Sequence, residues 1–148
     1  MTDYAIDANL LIYAADENCP FFAGARAFME ACMADTSACL YLAWPTIMAY
    51  LRVITHPRIS SRPRRLDEAS RNIDALLALD HVVLLGESRG FWQTWRDDFS
   101  HRDIRGALIS DAHLAALLRH AGIRLLYTHN VKDFTAFPFI DARSPLVG

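Results

Sequence analysis

Short apolar runs that alternate with helix-like segments are the sequence feature that most limits how this chain can fold. The runs are typical of buried strands and lie at residues 4–7, 39–42, 81–85, 123–127 and 139–141. Parallel strands need a crossover connection, commonly a helix, so this alternation favours a parallel sheet that is covered on both faces. We therefore predict one α/β domain whose sheet is mainly parallel.

The predicted helices begin and end at recognisable signals. Pro45 suits the first turn of a helix over Trp44–Thr55. Ser110 is a suitable N-cap for a helix that runs to His120 and stops at Gly122. Further helices are predicted at Leu10–Ala15, Phe22–Met33 and Leu66–Leu79. Another predicted helix is capped by Ser88 and carries Phe91, Trp92 and Trp95. A helical turn is predicted at residues 132–134.

Composition excludes several classes of protein. With 148 residues, 53% hydrophobic and 22% charged, the chain fits a single globular domain over residues 1–148. No apolar run is long enough to span a membrane, and no secretory signal precedes the first strand, so we expect a cytoplasmic protein. The cysteines, Cys19, Cys32 and Cys39, lack the paired spacing of a zinc site and are expected to be reduced.

Three aspartates stand at element ends, where ligands collect in parallel α/β sheets. Asp7 ends the first strand, Asp111 opens a helix, and Asp133 lies in the turn after the strand at 123–127. Their carboxylates, with nearby amide and hydroxyl oxygens, are hard ligands suited to Mg²⁺ or Mn²⁺. Simpler explanations stay open here: a helix-dipole carboxylate at Asp111, turn chemistry at Asp7 and Asn9, and a surface residue at Asp133.

Four parts of the chain match the signature of a known family. They are Ile6–Ala14, Trp44–Arg52 with His56–Arg58, Ser110–Leu117 and Thr128–Phe134. In this order they resemble a PIN-domain ribonuclease and, more narrowly, the VapC toxins of bacterial type II toxin–antitoxin pairs. The resemblance implies a three-layer α/β/α fold with a central parallel sheet, and Mg²⁺- or Mn²⁺-dependent cleavage of structured RNA, transfer or ribosomal. It also implies a VapB-like antitoxin that silences the active site, and a homodimer.

The resemblance assigns roles to residues of this chain. The implied catalytic residues are Asp7, Asp111, Asn130 and Asp133, with Asp7 and Asp111 as the metal ligands and with Asn9, Thr128 and Tyr50 in support. One departure concerns Tyr50, which stands where many members carry a glutamate. A phenol is a poor replacement for a carboxylate at neutral pH, so binding of a second ion is expected to weaken. Asp103, in the loop before Asp111, could supply the missing charge.

Basic residues are concentrated in one stretch, although the formal net charge is −2. No acidic residue lies between Thr36 and Leu66. Because guanidinium groups pair well with phosphate, RNA contacts are predicted for Arg58, Arg62, Arg64 and Arg65. The same loop could instead be merely solvated, or could pair with acidic residues of an antitoxin. Trp92 and Trp95 could stack on bases, although their helical spacing favours a core or dimer interface.

These observations predict an endoribonuclease. Asp7 and Asp111 would position a metal ion, and Asn130 or Asp133 would orient the water that attacks a phosphodiester. A second hypothesis is a catalytically impaired PIN domain that binds RNA or a partner without cutting, because Tyr50 replaces a carboxylate. A third is a metal-dependent phosphatase of small substrates, but the chain lacks the D-x-D pattern of a nucleophilic aspartate.

Overall fold

Five parallel strands form the centre of the protein in a computed structural model that describes residues 2–146. The strands are β1 (Tyr4–Ile6), β2 (Leu40–Ala43), β3 (Val82–Leu85), β4 (Leu125–Tyr127) and β5 (Asp141–Arg143). Their order across the sheet is β3-β2-β1-β4-β5, and each neighbouring pair runs parallel. The predicted parallel sheet is confirmed, with β1 at its centre.

Helices connect the strands. They are α1 (Ala8–Ala15), α2 (Phe22–Ala34), α3 (Trp44–Ile54), α4 (Leu66–Leu77), α5 (Phe91–Phe99), α6 (Leu108–Ala121) and a short 3₁₀ helix (Val131–Phe134). Two of the predicted signals act as expected. Pro45 lies in the first turn of α3, and α6 ends at Gly122, which adopts a φ of +75° that glycine reaches without a Cβ clash.

The sheet has a separate apolar core on each face. Along β1, Tyr4 and Ile6 face the core formed with α1 to α4, whereas Ala5 faces the core formed with α5 and α6, as strand alternation requires. In α6, residues 112 and 114–118 are all buried, and each buried leucine contributes about 1.5–3 kcal/mol. The three-layer α/β/α arrangement is confirmed, and it holds the start of α6 near the carboxyl ends of the strands.

Two predicted helix caps are wrong. α6 begins at Leu108, so Ser110 lies inside its first turn instead of capping it. α5 begins directly after Gly90, two residues beyond the predicted cap at Ser88. In both places a left-handed glycine sets the start of the helix: Gly90 with a φ of +84°, and Gly106 with a φ of +60°. The turn geometry therefore overrides the capping preference of serine.

The last strand lies later than predicted. β5 covers Asp141–Arg143 and pairs with β4, whereas the apolar pattern predicts a strand at 139–141. Phe139 and Ile140 pack into the second core instead. The apolar character of this segment thus marks core contact, and the strand follows it.

Two remaining expectations concern the membrane and the thiols. Within residues 2–146, no helix combines the length and the apolar character needed to cross a bilayer. Cys19, Cys32 and Cys39 carry free thiols, of which Cys32 is buried.

Candidate active site

Asp7 lies directly after β1 and is the N-cap of α1. Its Oδ1 accepts a hydrogen bond from Ala8 N at 2.8 Å, and its Oδ2 accepts one from Thr128 Oγ1 at 2.9 Å. Its own N–H donates to Tyr127 O at 2.9 Å and so continues the contact between β1 and β4. These bonds fix the direction of the carboxylate. Each oxygen still has a lone pair for another partner.

Thr128, which is fully buried, determines the polarity of this network. Its Oγ1 accepts from Asn9 Nδ2 at 3.1 Å and from Asn130 N at 3.1 Å. A hydroxyl has two lone pairs and one hydrogen, so these two bonds leave the hydrogen for Asp7. Asn9 is held in turn, because its Oδ1 accepts from His129 N at 3.3 Å. The structure thus brings Asn9 and Thr128 together around Asp7.

Asp111 and Asp133 bring two further carboxyl groups into electrostatic range of Asp7. Asp111 lies half-buried in the first turn of α6. Burial raises its pKa to about 6, with further contributions from Asp133 and Asp7. Burial also raises the pKa of Asp7, and Asp133 adds to the rise, while hydrogen bonds from Thr128 and Ala8 oppose it. Asp133 therefore disfavours the charge of both Asp7 and Asp111, and Asp7 also disfavours that of Asp111, an arrangement that a bound cation would relieve.

The oxygen donors fit a hard divalent cation. Within the part of the chain that the structure describes, the ion pairs use other carboxylates, so Asp7, Asp111 and Asp133 have no cationic side chain beside them. Within residues 2–146, no three His, Cys, Asp or Glu side chains lie close enough together to bind one metal ion. Mg²⁺ commonly takes one or two protein carboxylates and keeps several waters. Asp7 and Asp111 match that requirement.

Comparison with known proteins identifies the family. No family model matches the chain, but individual relatives do. Over 142 residues it is 37% identical to Ribonuclease VapC48 of Mycobacterium tuberculosis H37Rv, a match that covers 96% of this chain and 97% of that protein. The chain belongs to the VapC family.

Solved VapC structures share the fold at low sequence identity. Mycobacterium tuberculosis VapC20, described as a sarcin-ricin loop cleaving toxin, aligns with a TM-score of 0.66 and 12% identity over 91% of this chain and 95% of that one. A chain of the VapBC2 assembly from Rickettsia felis, bound to a promoter DNA fragment, aligns with a TM-score of 0.64 and 14% identity over 97% and 98%. Both matches confirm the PIN-domain architecture.

Tyr50 does not take the place of the glutamate that the VapC resemblance implies in α3. Its side chain is 2% exposed and packs in the first core. Its hydroxyl accepts a hydrogen bond from Asn72 Nδ2 of α4 at 2.8 Å. The expectation that Tyr50 supports the acidic site is therefore corrected. The contacts of this phenol instead stabilise the packing of α3 against α4.

Two other predicted residues contact the acidic network less directly than expected. The side chain of Asn130 is exposed, and this residue reaches the network through its backbone N–H. Asp133 is exposed in the 3₁₀ helix, and its catalytic role stays a prediction, as does that of Asn130. Asp103 pairs with Arg105 at 2.7 Å on the surface, so its charge is already partnered and it is a poor replacement for the missing glutamate.

The four arginines of the loop before α4 differ in their contacts. Arg64 donates from Nη2 to Ala15 O at 2.6 Å and so holds the end of α1, while Arg65 pairs with Asp67 at 3.2 Å. Arg58 and Arg62 are exposed. Beside Arg62, a cleft of about 470 Å³ is lined by side chains of both charges. It is lined by Arg62 and Arg64 together with Asp16, Glu17 and Glu68. RNA contacts by these four arginines stay a prediction.

The two tryptophans of α5 differ in burial. Trp95 lies 4.8 Å from Phe99, measured between ring centroids, and packs on the second core, which fits the core alternative. Trp92 is 68% exposed.

Sequence reasoning did not single out three aromatic residues that also border the site. Tyr13 and Phe21 lie eight residues apart, and His129, from near the other end of the sequence, meets them in the folded protein. No local pattern joins them, because the pairing of β1 with β4 brings them together.

Proposed function

We propose that this VapC family member is an Mg²⁺- or Mn²⁺-dependent endoribonuclease that cuts structured cellular RNA, transfer or ribosomal, as the toxin of a toxin–antitoxin pair. The observation that carries the proposal is that three carboxyl groups come within electrostatic range at the carboxyl edge of the sheet, around an Asp7 whose direction is fixed. The names of its relatives, which are ribonucleases, support the reaction class.

Each residue of the candidate site would have a role that its position determines. Asp7 and Asp111 would hold the ion, which when bound offsets charge on a phosphoryl oxygen and makes a coordinated water a better nucleophile. Thr128 keeps Asp7 in one orientation, because its hydroxyl hydrogen has no other acceptor. Asp133 adds negative charge at the open side of the site, where it is exposed to the incoming water and to RNA.

An assay of purified protein with structured RNA tests the proposal. Wild-type protein should cut transfer or ribosomal RNA with Mg²⁺ or Mn²⁺, and EDTA should abolish cutting. Asp7→Asn and Asp111→Asn should each lower the rate by roughly a hundredfold or more, since loss of a group that merely supports a ligand already costs 10–100-fold. Asp103→Asn removes the same charge from a surface ion pair and is the matched control. Equal rates for all four proteins would overturn the proposal.

A VapB-like antitoxin is the partner that we propose for this chain. Its support is the structural match to a chain of the VapBC2 assembly. Expression of the wild-type protein should arrest growth, and co-expression of its cognate antitoxin should restore it. If Asp7→Asn arrests growth equally, the toxicity does not come from the acidic site.

A catalytically impaired RNA-binding domain is the second candidate function. It is favoured by Tyr50, which occupies the position in α3 where the family resemblance implies a glutamate. This phenol is buried and bonds to Asn72, so it supplies no carboxylate to the site. In this case the wild-type protein would bind structured RNA but would not cut it with either metal ion, and Asp7→Asn would bind equally well.

A further inference from the structure

Three aromatic rings from distant parts of the chain form a cluster next to the acidic site. Tyr13 belongs to α1, Phe21 precedes α2, and His129 follows Thr128. Their ring centroids lie 4.3 Å apart for Phe21 and His129, 5.3 Å for Tyr13 and Phe21, and 5.8 Å for Tyr13 and His129. We call these three residues the aromatic trio.

The trio is tied to Asp7 through its neighbours. His129 N donates to Asn9 Oδ1, and the preceding residue, Thr128, donates to Asp7. Burial raises the pKa of the Tyr13 phenol, and the nearby Cys19 and Asp7 add to the rise, which places Asp7 in electrostatic range of this ring. A group bound on the trio would therefore lie beside the carboxylates.

The trio is only partly buried. Its three side chains are half-buried and belong to neither of the two core clusters of the described residues. Its exposure contrasts with that of the core residues Phe134 and Phe137, which are 2% and 3% exposed. Part of the ring surface of the trio thus remains open, as it must for a base to stack on it.

The trio also connects the acidic site with the loop that carries Arg58, Arg62, Arg64 and Arg65, which we call the arginine loop. Phe21 lies on the segment between α1 and α2, which is joined to the arginine loop by a hydrogen bond from Asn18 Nδ2 to Ser61 Oγ at 3.2 Å. From its start beside Asp7, α1 spans about 12 Å at 1.5 Å per residue and ends where Arg64 holds Ala15 O. One RNA strand could therefore contact the carboxylates, the trio and Arg62 in succession.

We propose that the aromatic trio is a nucleobase-stacking subsite, which holds one unpaired base of the RNA next to the phosphodiester that is to be cut. The inference rests on the proposed function, since it takes RNA as the ligand. Sequence-tolerant stacking on aromatic side chains typically changes affinity by a factor of about 5 to 150 per base, so loss of the trio has a measurable effect.

Binding in EDTA tests the subsite without cutting. The probes are short single-stranded RNAs that carry the fluorescent base 2-aminopurine at successive positions. With wild-type protein, stacking should quench the fluorescence at one position. Phe21→Leu, which keeps apolar volume but removes the ring, and His129→Ala should abolish that quenching and weaken binding about tenfold. Tyr13→Phe and His129→Phe keep a ring and should retain both signals.

Two controls separate stacking from a general loss of structure. Leu84→Ala removes an exposed apolar side chain of the edge strand β3, and it should leave quenching and affinity unchanged. An RNA with an abasic nucleotide at the quenched position should bind wild-type protein about as weakly as the intact RNA binds Phe21→Leu. The two losses should not add in a double-mutant cycle, because they remove the same contact.

The outcomes also distinguish this inference from the proposed function. Absence of position-specific quenching with wild-type protein, or unchanged binding by variants whose circular dichroism and thermal unfolding match wild type, overturns the subsite. If wild-type protein cuts RNA but the trio variants bind normally, only the subsite fails. If the trio variants lose binding while no protein cuts RNA with either metal ion, the subsite stands and the proposed reaction fails.

Discussion

The aspartates of the candidate site are stabilised in different ways. Asp7 accepts hydrogen bonds on both oxygens, and these bonds partly offset the cost of burying its charge. For Asp111, burial and the two neighbouring carboxyl groups all act in one direction and raise its pKa to about 6. In the proposed site, Asp7 is thus the carboxylate whose orientation is already fixed, and a bound cation would offset the repulsion that contributes to the raised pKa of Asp111.

The stability of the metal-free protein should depend on the protonation of Asp111. Its pKa is near 3.8 in the unfolded chain and about 6 in the folded protein, so between these values the unfolded state has lost a proton that the folded state keeps. The contribution of Asp111 to the free energy of unfolding should therefore fall as the pH rises from about 4 to 6. Asp111→Asn should unfold at a higher urea concentration than wild type at neutral pH.

Urea titrations across this pH range would check the expectation. Below about pH 4 the advantage of Asp111→Asn should disappear, and Mg²⁺ at neutral pH should stabilise wild type more than the variant. Asp103→Asn controls for the change in net charge. An advantage of Asp111→Asn that stays constant with pH would contradict this account.

At the scale of helices and strands, local chemistry predicted the elements better than their contacts. The strands were found within about two residues, because β-branched and aliphatic runs such as Val82–Leu85 favour strands even where the side chains are only partly buried. The face of α3 that carries Tyr50 was not predictable, since the partner of its hydroxyl lies on α4 and is separated from it by the arginine loop. The serine caps failed because glycine turns set the starts of α5 and α6.

Arg64 and Arg62 should respond differently to substitution, although both lie in the arginine loop. Arg64 binds a carbonyl at the end of α1, where the helix dipole also favours a cation. Arg64→Ala should lower the free energy of unfolding by about 1 kcal/mol and make the loop easier to cleave by proteases. Arg62→Ala should leave the unfolding free energy unchanged and should weaken RNA binding, with a smaller salt dependence. Equal stability of the two variants would contradict this assignment.

At the scale of the whole molecule, the exposed apolar residues of α3 support the predicted homodimer. Trp44 and Met48 are 43% and 51% exposed, and they lie one turn apart on the same face of the helix. Met48→Glu should convert a dimer into a monomer in size-exclusion chromatography with light scattering, because it places a charge in an apolar interface. Leu66→Glu, at an exposed position at the start of α4, should leave the dimer intact. A monomeric wild-type protein would contradict the prediction.

The acidic residues themselves could be predicted from the sequence, because Asp7 and Asp111 stand at element ends. Their surroundings could not. The contacts of Thr128 with Asp7 and of His129 with Phe21 join residues from opposite ends of the chain. No local rule of periodicity or capping reports such contacts, since they depend on the strand order.

That strand order also affects when the protein can become active. β1 is made first, but Thr128, whose hydroxyl orients Asp7, and the ring of His129 follow β4, which pairs directly with β1. While the chain is still being synthesised, Asp7 therefore has neither Thr128 nor Asp111 beside it. The proposed nuclease site is therefore incomplete until Thr128 has left the ribosome, so synthesis of most of the chain would precede RNA cleavage.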